Sequence, residues 1–320
     1  RMARLLTLLL LYQAGYEASD GAVVSSLLES GLVVALFNVM RDAIRQHAPD
    51  VLLTPFPTFQ APIGAVDSLA EGHIPLVTVV TDLVTVHHIW FSQVADLCVV
   101  PTEKAHDLAI EYGLPAERVK LVGIPVDPRF ADEDRSAETI QASLGWRTDL
   151  TTLLVVGSKR VRGLIDVLRA IDHARFPIQL ILVAGGDDEL YRRLDGMAWH
   201  TLAHVYNFVE QMPAFMHASD GIVCKAGGLI VSEALACGLP LLLIDVLPGQ
   251  EVGNAEYVVE GKAGDLAQDP VEALQKLHHW LDREGALLEQ RAQAARRIGR
   301  PRAAYEIADL VWEAAGGSGE

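Results

Sequence analysis

Nine short apolar runs punctuate the chain, and the stretches between them carry the spacing of amphipathic helices. In the first half the runs lie at 51–54, 76–81, 97–100 and 119–122. In the second they lie at 153–156, 178–184, 205–208, 221–224 and 241–244. Runs this short read as buried strands, and strands that alternate with helices form βαβ units and parallel sheets. Right-handed crossovers then place helices on both faces of each sheet. The pattern predicts an α/β protein with two doubly wound, Rossmann-like domains.

The length of 320 residues suits two domains of about 150 residues each. A polar stretch, Ala131-Asp132-Glu133-Asp134-Arg135-Ser136, follows Pro125 and Pro128 and separates the two strand series. It predicts an N-terminal domain over 1–130, a linker over 131–150 and a C-terminal domain over 151–300. A helix and tail over 301–320 follow, with Pro301 breaking a helical pattern that runs from 264 to about 315. The chain opens on Arg1, and its first fifty residues hold neither the buried strand nor the Gly-rich turn that begins such a domain. The N-terminal domain is therefore expected to be a strand short.

Composition excludes several classes. The formal net charge is −16, and residues 1–130 carry 8 basic against 14 acidic groups, so neither half holds a basic face. Nucleic acid is not an expected partner, since phosphate binding needs a basic field. Cys98, Cys224 and Cys237 show no metal-like spacing and read as buried, reduced thiols of a cytoplasmic protein. No apolar run reaches the roughly 18–20 residues that span a bilayer. The run at 5–11, behind Arg1 and Arg4, imitates a signal peptide but lacks a small-residue cleavage site, and reads as a core or membrane-surface helix. No clustered carboxylate pair suggests a metal, and none is expected.

The segment from Ser219 to Ala234 reads strand, glycine turn, helix. At such a helix start the backbone N–H groups are free for an anion, and the dipole favours negative charge. Gly227 and Gly228 would let a diphosphate approach the backbone, and Glu233, about one turn in, could accept both hydroxyls of a ribose. The same residues equally describe a tight βα turn with a carboxylate near a helix start. Pro248-Gly249-Gln250-Glu251-Val252-Gly253-Asn254 follows the next strand, and Gln250 and Glu251 offer donors and acceptors suited to sugar hydroxyls, or form a solvated loop.

Taken in order, Lys225-Ala226-Gly227, Glu233-Ala234, Gly238-Leu239-Pro240 and Pro248-Gly249-Gln250-Glu251 with Gly253-Asn254 resemble glycosyltransferase family 28. The likeness is strongest to monogalactosyldiacylglycerol synthases and processive diacylglycerol glucosyltransferases. The first half agrees: Thr81-Asp82-Leu83, His87 and Trp90-Phe91 resemble the family's Thr-Asp-Leu…His…Trp-Phe segment, and Val100-Pro101-Thr102-Glu103 and Gly123-Ile124-Pro125-Val126 continue the match. The resemblance implies a GT-B architecture, two Rossmann-like domains facing a cleft, with a UDP-sugar on the C-terminal side and the acceptor on the other. Carried over by position, Glu233 would hold the uridine ribose, and Gly157, Lys225, Gly227, Gly228 and Leu229 would lie about the diphosphate. Gln250 and Glu251 would contact the sugar, and Asn254 would belong to the same donor site. Phe208 and Val209 sit where relatives meet the uracil, although Phe208 equally suits a core aromatic at a strand end. Three positions depart from the family's Lys-Ala-Gly-Pro-Gly-Thr: Gly228 replaces the proline, Leu229 a glycine and Ile230 the threonine. The turn Gly157-Ser158-Lys159-Arg160-Val161-Arg162-Gly163 trades glycines for cations, and the family's N-terminal Gly-Gly-Gly-His loop is missing.

His87 and Asp82 are the candidate acid/base groups, since both follow the strand at 76–81. His88 reads as structural, and His73, His106, His278 and His279 as surface residues. The resemblance implies an inverting transfer of a hexose from a UDP-hexose to a lipid hydroxyl, diacylglycerol being the expected acceptor. UDP-sugar serves as co-substrate, no further cofactor is expected, and attachment to the membrane is peripheral, through apolar surface at 5–11 and 27–37. Two other readings stand beside it: a UDP-sugar-binding protein without turnover, and a UDP-sugar epimerase on the same fold.

Overall fold

The computed structural model of the chain describes residues 19–20, 22–70, 72–158, 161–249 and 251–317. The strands are β1 (Leu52–Thr54), β2 (Leu76–Val79), β3 (Leu97–Val100), β4 (Val119–Leu121), β5 (Thr151–Val156), β6 (Ile178–Val183), β7 (Leu202–Tyr206), β8 (Gly221–Lys225), β9 (Leu241–Asp245) and β10 (Gly264–Leu266). The helices are α1 (Ala22–His47), α2 (Gln60–Asp67), α3 (Glu103–Glu111), α4 (Ala137–Leu144), α5 (Leu164–Ala174), α6 (Asp188–Asp195), α7 (Met212–His217), α8 (Gly228–Ala236), α9 (Val252–Glu260), α10 (Pro270–Ile298) and α11 (Ala303–Ala314). The chain divides into two compact units. One holds the chain up to Pro125, Leu247–Gly253 and the chain from Arg302; the other holds Val126–Val246 and Asn254–Pro301.

The first unit carries a parallel sheet in the order β1-β2-β3-β4. Its strands are apolar on both faces because both are covered. On one face Val77, Val79 and Val99 pack with Ala303 and Ile307 of α11. On the other, Val80, Cys98 and Val100 pack with Trp90, Phe91, Ala105 and Ala109. The Thr102 hydroxyl caps α3 by accepting from the Ala105 N–H at 3.1 Å.

The second unit carries six parallel strands in the order β10-β9-β8-β5-β6-β7. Its core joins Leu153, Val155, Leu180, Leu182, Val223 and Leu242 of the sheet to Leu164, Leu168 and Ile171 of α5 and to Leu277 and Trp280 of α10. The Trp280 indole N–H donates to Asp265 at 2.8 Å, so the largest core side chain keeps its polar atom satisfied. Asp269 starts α10, accepting from the N–H groups of Val271 and Glu272.

Three expectations change. The segment 131–150 is not a linker: it contains α4, capped by Ser136, and buried Gln141 donates to the Ala218 carbonyl at 2.9 Å and to the Thr152 hydroxyl at 3.1 Å. The boundary falls at Pro125 instead, ahead of the charged stretch. The strand expected at 205–208 lies at Leu202–Tyr206, where Val183 sits opposite Tyr206. A tenth strand, Gly264–Leu266, carries no apolar run; Gly264 is required there because a Cβ would run into the Leu241 carbonyl. The run at 5–11 lies outside the described residues.

Candidate functional site

In the second unit the chain lays β6 and β7 on one side of β5 and then returns to lay β8, β9 and β10 on the other. The carboxyl ends of β5 and β8 therefore flank a topological switch point, the usual ligand position in open α/β sheets. The segment after β8 is held in a frame. The Ala226 N–H donates to the Asp245 carbonyl at 2.9 Å, and the Gly227 N–H to the Lys225 carbonyl at 2.9 Å. Asn254, only 1% exposed, donates its side-chain N–H to the Ala226 carbonyl at 3.0 Å. A register shift at Cys224/Lys225 accompanies this turn.

The frame fixes the start of α8. Gly227 is its N-cap, extended at φ −72° and ψ 138°, and no side chain caps it. Val231 is the first residue to close a helical bond, onto the Gly227 carbonyl at 3.0 Å. The N–H groups of Gly228, Leu229 and Ile230 therefore have no partner within the helix. Leu229 is 58% exposed beside them. One turn on, Glu233 has its carboxyl pushed up to about 7, first by burial and second by the charge of Asp127.

The turns after β5 and β6 touch through glycines. Gly185 and Gly186 take φ of +66° and +80°. A Cβ on Gly185 would stand 2.6 Å from the Gly157 carbonyl oxygen, and one on Gly157 would stand 2.7 Å from Leu190 and 2.8 Å from Leu164. Gly157 thus answers a packing demand. Phe208 lies past the end of β7 beside Gly186 and is 68% exposed, so the core-aromatic reading of this residue is wrong. Val209 follows it, half-buried. A cavity of about 350 Å³ opens here, lined by Ser158, Gly163, Leu164, Asp187 and Arg193 among others. Of the three cations in the β5 turn, Lys159 and Arg160 lie outside the described residues. Arg162 is engaged by Asp245, at 2.9 Å through Nε and 2.6 Å through Nη2.

Gln250 also lies outside the described residues. Glu251 is buried, and its Oε2 accepts from the Leu247 N–H at 2.8 Å, which closes the turn 247–251. Asn254, expected in the donor site, donates to the Ala226 carbonyl and forms part of the frame under α8. Gly253 donates its N–H to the Thr85 hydroxyl at 3.1 Å within the first unit.

In the first unit Asp82 accepts the Trp90 indole N–H at 3.0 Å. His87 caps the short 3-10 turn His88–Trp90: its Nδ1 accepts from the Ile89 N–H at 3.1 Å. That bond puts the ring proton on Nε2, which lies 3.0 Å from the Ser19 hydroxyl. The Asp20 carboxylate is 3.7 Å from Nδ1. Burial holds the His87 pKa below its ordinary value. His73 is exposed yet bridges Asp67 at 2.8 Å and Asp96 at 3.0 Å.

Sequence reasoning missed Asp127, the Gly185-Gly186 turn and the Arg162–Asp245 pair. The second carried a readable signal, Gly-Gly-Asp-Asp directly after an apolar run. The other two are contacts between segments far apart in sequence. Among the described residues no group of three or more His, Cys, Asp or Glu is placed to hold a metal ion, and no helix is long and apolar enough to cross a membrane.

Two all-parallel α/β units, one with an anion-ready helix start at its switch point, define the GT-B class. The chain belongs to the family described as glycosyl transferases group 1, which matches residues 136–298; residues 4–126 match the monogalactosyldiacylglycerol (MGDG) synthase family. The resemblance to monogalactosyldiacylglycerol synthases is borne out by relatives along nearly the whole chain. It is 28% identical over 307 residues to a probable monogalactosyldiacylglycerol synthase 2, chloroplastic, of Oryza sativa subsp. japonica, covering 93% of this chain and 66% of the relative. It is 30% identical to the monogalactosyldiacylglycerol synthase, chloroplastic, of Spinacia oleracea, covering 93% and 59%. The chain thus spans just under two thirds of the first relative's length and less of the second's. Among solved structures it resembles the S. aureus MnaA–UDP co-structure, with TM-score 0.69, 16% identity and 91% and 83% of the two chains covered. It also resembles Acinetobacter baumannii MurG, with TM-score 0.65, 18% identity and 88% and 78% covered. At these identities the likeness is one of fold.

Proposed function

We propose that the protein transfers a hexosyl group from a UDP-sugar to the hydroxyl of a diacylglycerol-type lipid, with inversion at the anomeric carbon. The observation that carries this reading is the uncapped start of α8 at the switch point, with the Glu233 carboxyl one turn along. A diphosphate would accept from the N–H groups of Gly228, Leu229 and Ile230, near Lys225, and the helix dipole would stabilise the departing UDP. Glu233 would accept the ribose hydroxyls. The exposed ring of Phe208, with Val209 beside it, would serve the uracil, since a flat aromatic face suits a base. Gln250 and Glu251 would serve the sugar. No metal enters the scheme.

In the transfer step the acceptor oxygen bonds to the anomeric carbon as the bond to the diphosphate oxygen breaks, and the acceptor proton passes to the enzyme. His87 is the proposed proton acceptor, and burial keeps its ring neutral for the task. Its Nε2 would exchange the Ser19 hydroxyl for the acceptor hydroxyl; in the base-competent tautomer the ring proton sits on Nδ1, which gives up the Ile89 N–H and turns to Asp20. Asp82 would hold the Trp90 ring and add negative charge that favours the imidazolium. The family of relatives named for monogalactosyldiacylglycerol supports a lipid acceptor. Val34 and Val39 on α1, and Leu53, Phe56 and Leu69, are exposed apolar side chains that would meet a bilayer in peripheral contact.

The deciding assay offers a panel of UDP-sugars with diacylglycerol in vesicles and separates the lipid products. A glycosylated lipid with inverted anomeric configuration supports the reading. Epimerised UDP-sugar with no lipid product would favour an epimerase, and UDP binding without either product a protein that holds the nucleotide only.

A further inference from the structure

Arg162 and Asp245 stand on segments that β8 separates. Arg162 lies on the turn after β5 and Asp245 ends β9, and in the sheet β8 runs between β5 and β9. The pair therefore bridges the carboxyl end of β8, where the segment leading into α8 begins. It is held by four bonds. Arg162 Nε and Nη2 reach Asp245 Oδ1 at 2.9 and 2.6 Å, the Arg162 backbone N–H reaches Oδ2 at 3.0 Å, and Nη2 also reaches the Val246 carbonyl at 3.1 Å. The backbone of Asp245 takes part as well, since its carbonyl accepts the Ala226 N–H.

Two roles are chemically open to such an arginine. It could swing to a diphosphate, or it could stay and set the turn. The carboxylate side chain of Asp245 is only 7% exposed. Releasing Arg162 would leave that nearly buried charge without its cation, which is strongly unfavourable. A ligand phosphate in water-accessible surroundings repays such a loss poorly.

We propose that Asp245 and Arg162 are positioning residues for the donor diphosphate: together they fix the turn carrying Gly157 and Ser158 at the set distance from the start of α8 that a diphosphate spans. The pair touches no substrate. It acts through the backbone, Arg162 on the turn after β5 and Asp245 on Ala226, so both sides of the phosphate subsite are referred to one carboxylate. The inference rests on the UDP-sugar reading above and concerns only how its diphosphate is held.

The test measures UDP and uridine binding by calorimetry for the whole chain and for D245N, R162Q and R162K, with circular dichroism melting to verify folding. Expected is a roughly tenfold weaker UDP affinity in D245N and R162Q with uridine affinity unchanged, and a smaller UDP loss in R162K, which keeps the charge but not the fork. R162K leaves Asp245 a cation, so it remains informative if D245N does not fold. Unchanged UDP affinity in folded variants overturns the proposal. Tighter UDP binding by D245N also overturns it, because Asp245 would then be competing with phosphate for Arg162. Equal losses for UDP and uridine overturn it too, since they mark general distortion. No UDP binding by the unaltered chain would instead remove the donor reading itself.

Discussion

The Asn254 side chain donates to the Ala226 carbonyl across 28 residues of sequence, and through that bond the helix after one loop holds the start of the helix after another. Asn254→Ala strands a buried carbonyl. It should cost about 1–3 kcal/mol of stability, the scale of an unsatisfied buried polar group. Thermal melting should show the second unit's transition several degrees lower, and UDP affinity should fall with it. A variant that melts like the parent would show that the frame does not depend on this bond.

Glu233 should make UDP binding depend on pH. Its carboxyl titrates near 7 because burial and Asp127 disfavour the charged form, while the ribose needs the carboxylate as acceptor. Affinity should therefore rise between pH 6 and 8 and then level off. Asp127→Asn should move that midpoint to lower pH, and Glu233→Ala should weaken UDP by about 1.5–3 kcal/mol and flatten the profile. The same group has a folded pKa above its unfolded value. Its stability contribution is full below about pH 4.3 and is lost as pH rises through 7. A pH-independent affinity in the parent would remove Glu233 from the ribose.

Separating proton transfer from capping at His87 takes two substitutions. Glutamine can accept the Ile89 N–H as the ring does; alanine cannot. If His87 is the base, both variants lose transfer by orders of magnitude while UDP still binds. Full transfer by His87→Gln would assign the residue to the loop. Burial depresses the His87 pKa, so stability is present above pH 6.5 and declines as pH falls through the folded value, and both variants should lessen that acid sensitivity.

His73 should act in the opposite sense. Its pKa is raised, first by the hydrogen bond to Asp67 and next by that to Asp96. Its contribution is present below about pH 6.5 and is lost as pH rises through the folded value. The site is exposed, so solvent screening keeps the effect small. His73→Gln should lower the melting temperature of the first unit at pH 6 and leave it unchanged at pH 9.

If the proposed donor site holds, addition of a chelator should leave UDP affinity unaltered, since the helix start and Lys225 would carry the charge of the diphosphate. A large loss in the presence of EDTA would reverse that assignment.

Much of this was legible in the residues. Runs such as 97–100 and 241–244 mark strands because a parallel strand is buried on both faces and spells a continuous apolar word. The glycine turn before α8 could be placed because strand, turn and helix are neighbours in sequence. β10 escaped because three residues, Gly-Asp-Leu, carry no hydrophobic signal and owe their conformation to pairing with β9. Charge misled at 131–136, where polar residues precede a helix that buries Ile140 and Gln141. Asn254 reads as a ligand contact from its motif alone; only its burial shows that it serves the backbone.

The contact of α11 with the first sheet sets an order of events during synthesis. Val77, Val79 and Val99 leave the ribosome about 200 residues ahead of Ala303 and Ile307, which cover them. The second unit, Val126–Val246 and Asn254–Pro301, has by then been released in full. The unit begun first is thus completed last, and through most of translation one apolar sheet face waits uncovered. A nascent chain of this kind has reason to engage a chaperone, and a stop codon ahead of Ala303 would harm the sheet of β1–β4 more than the unit made after it.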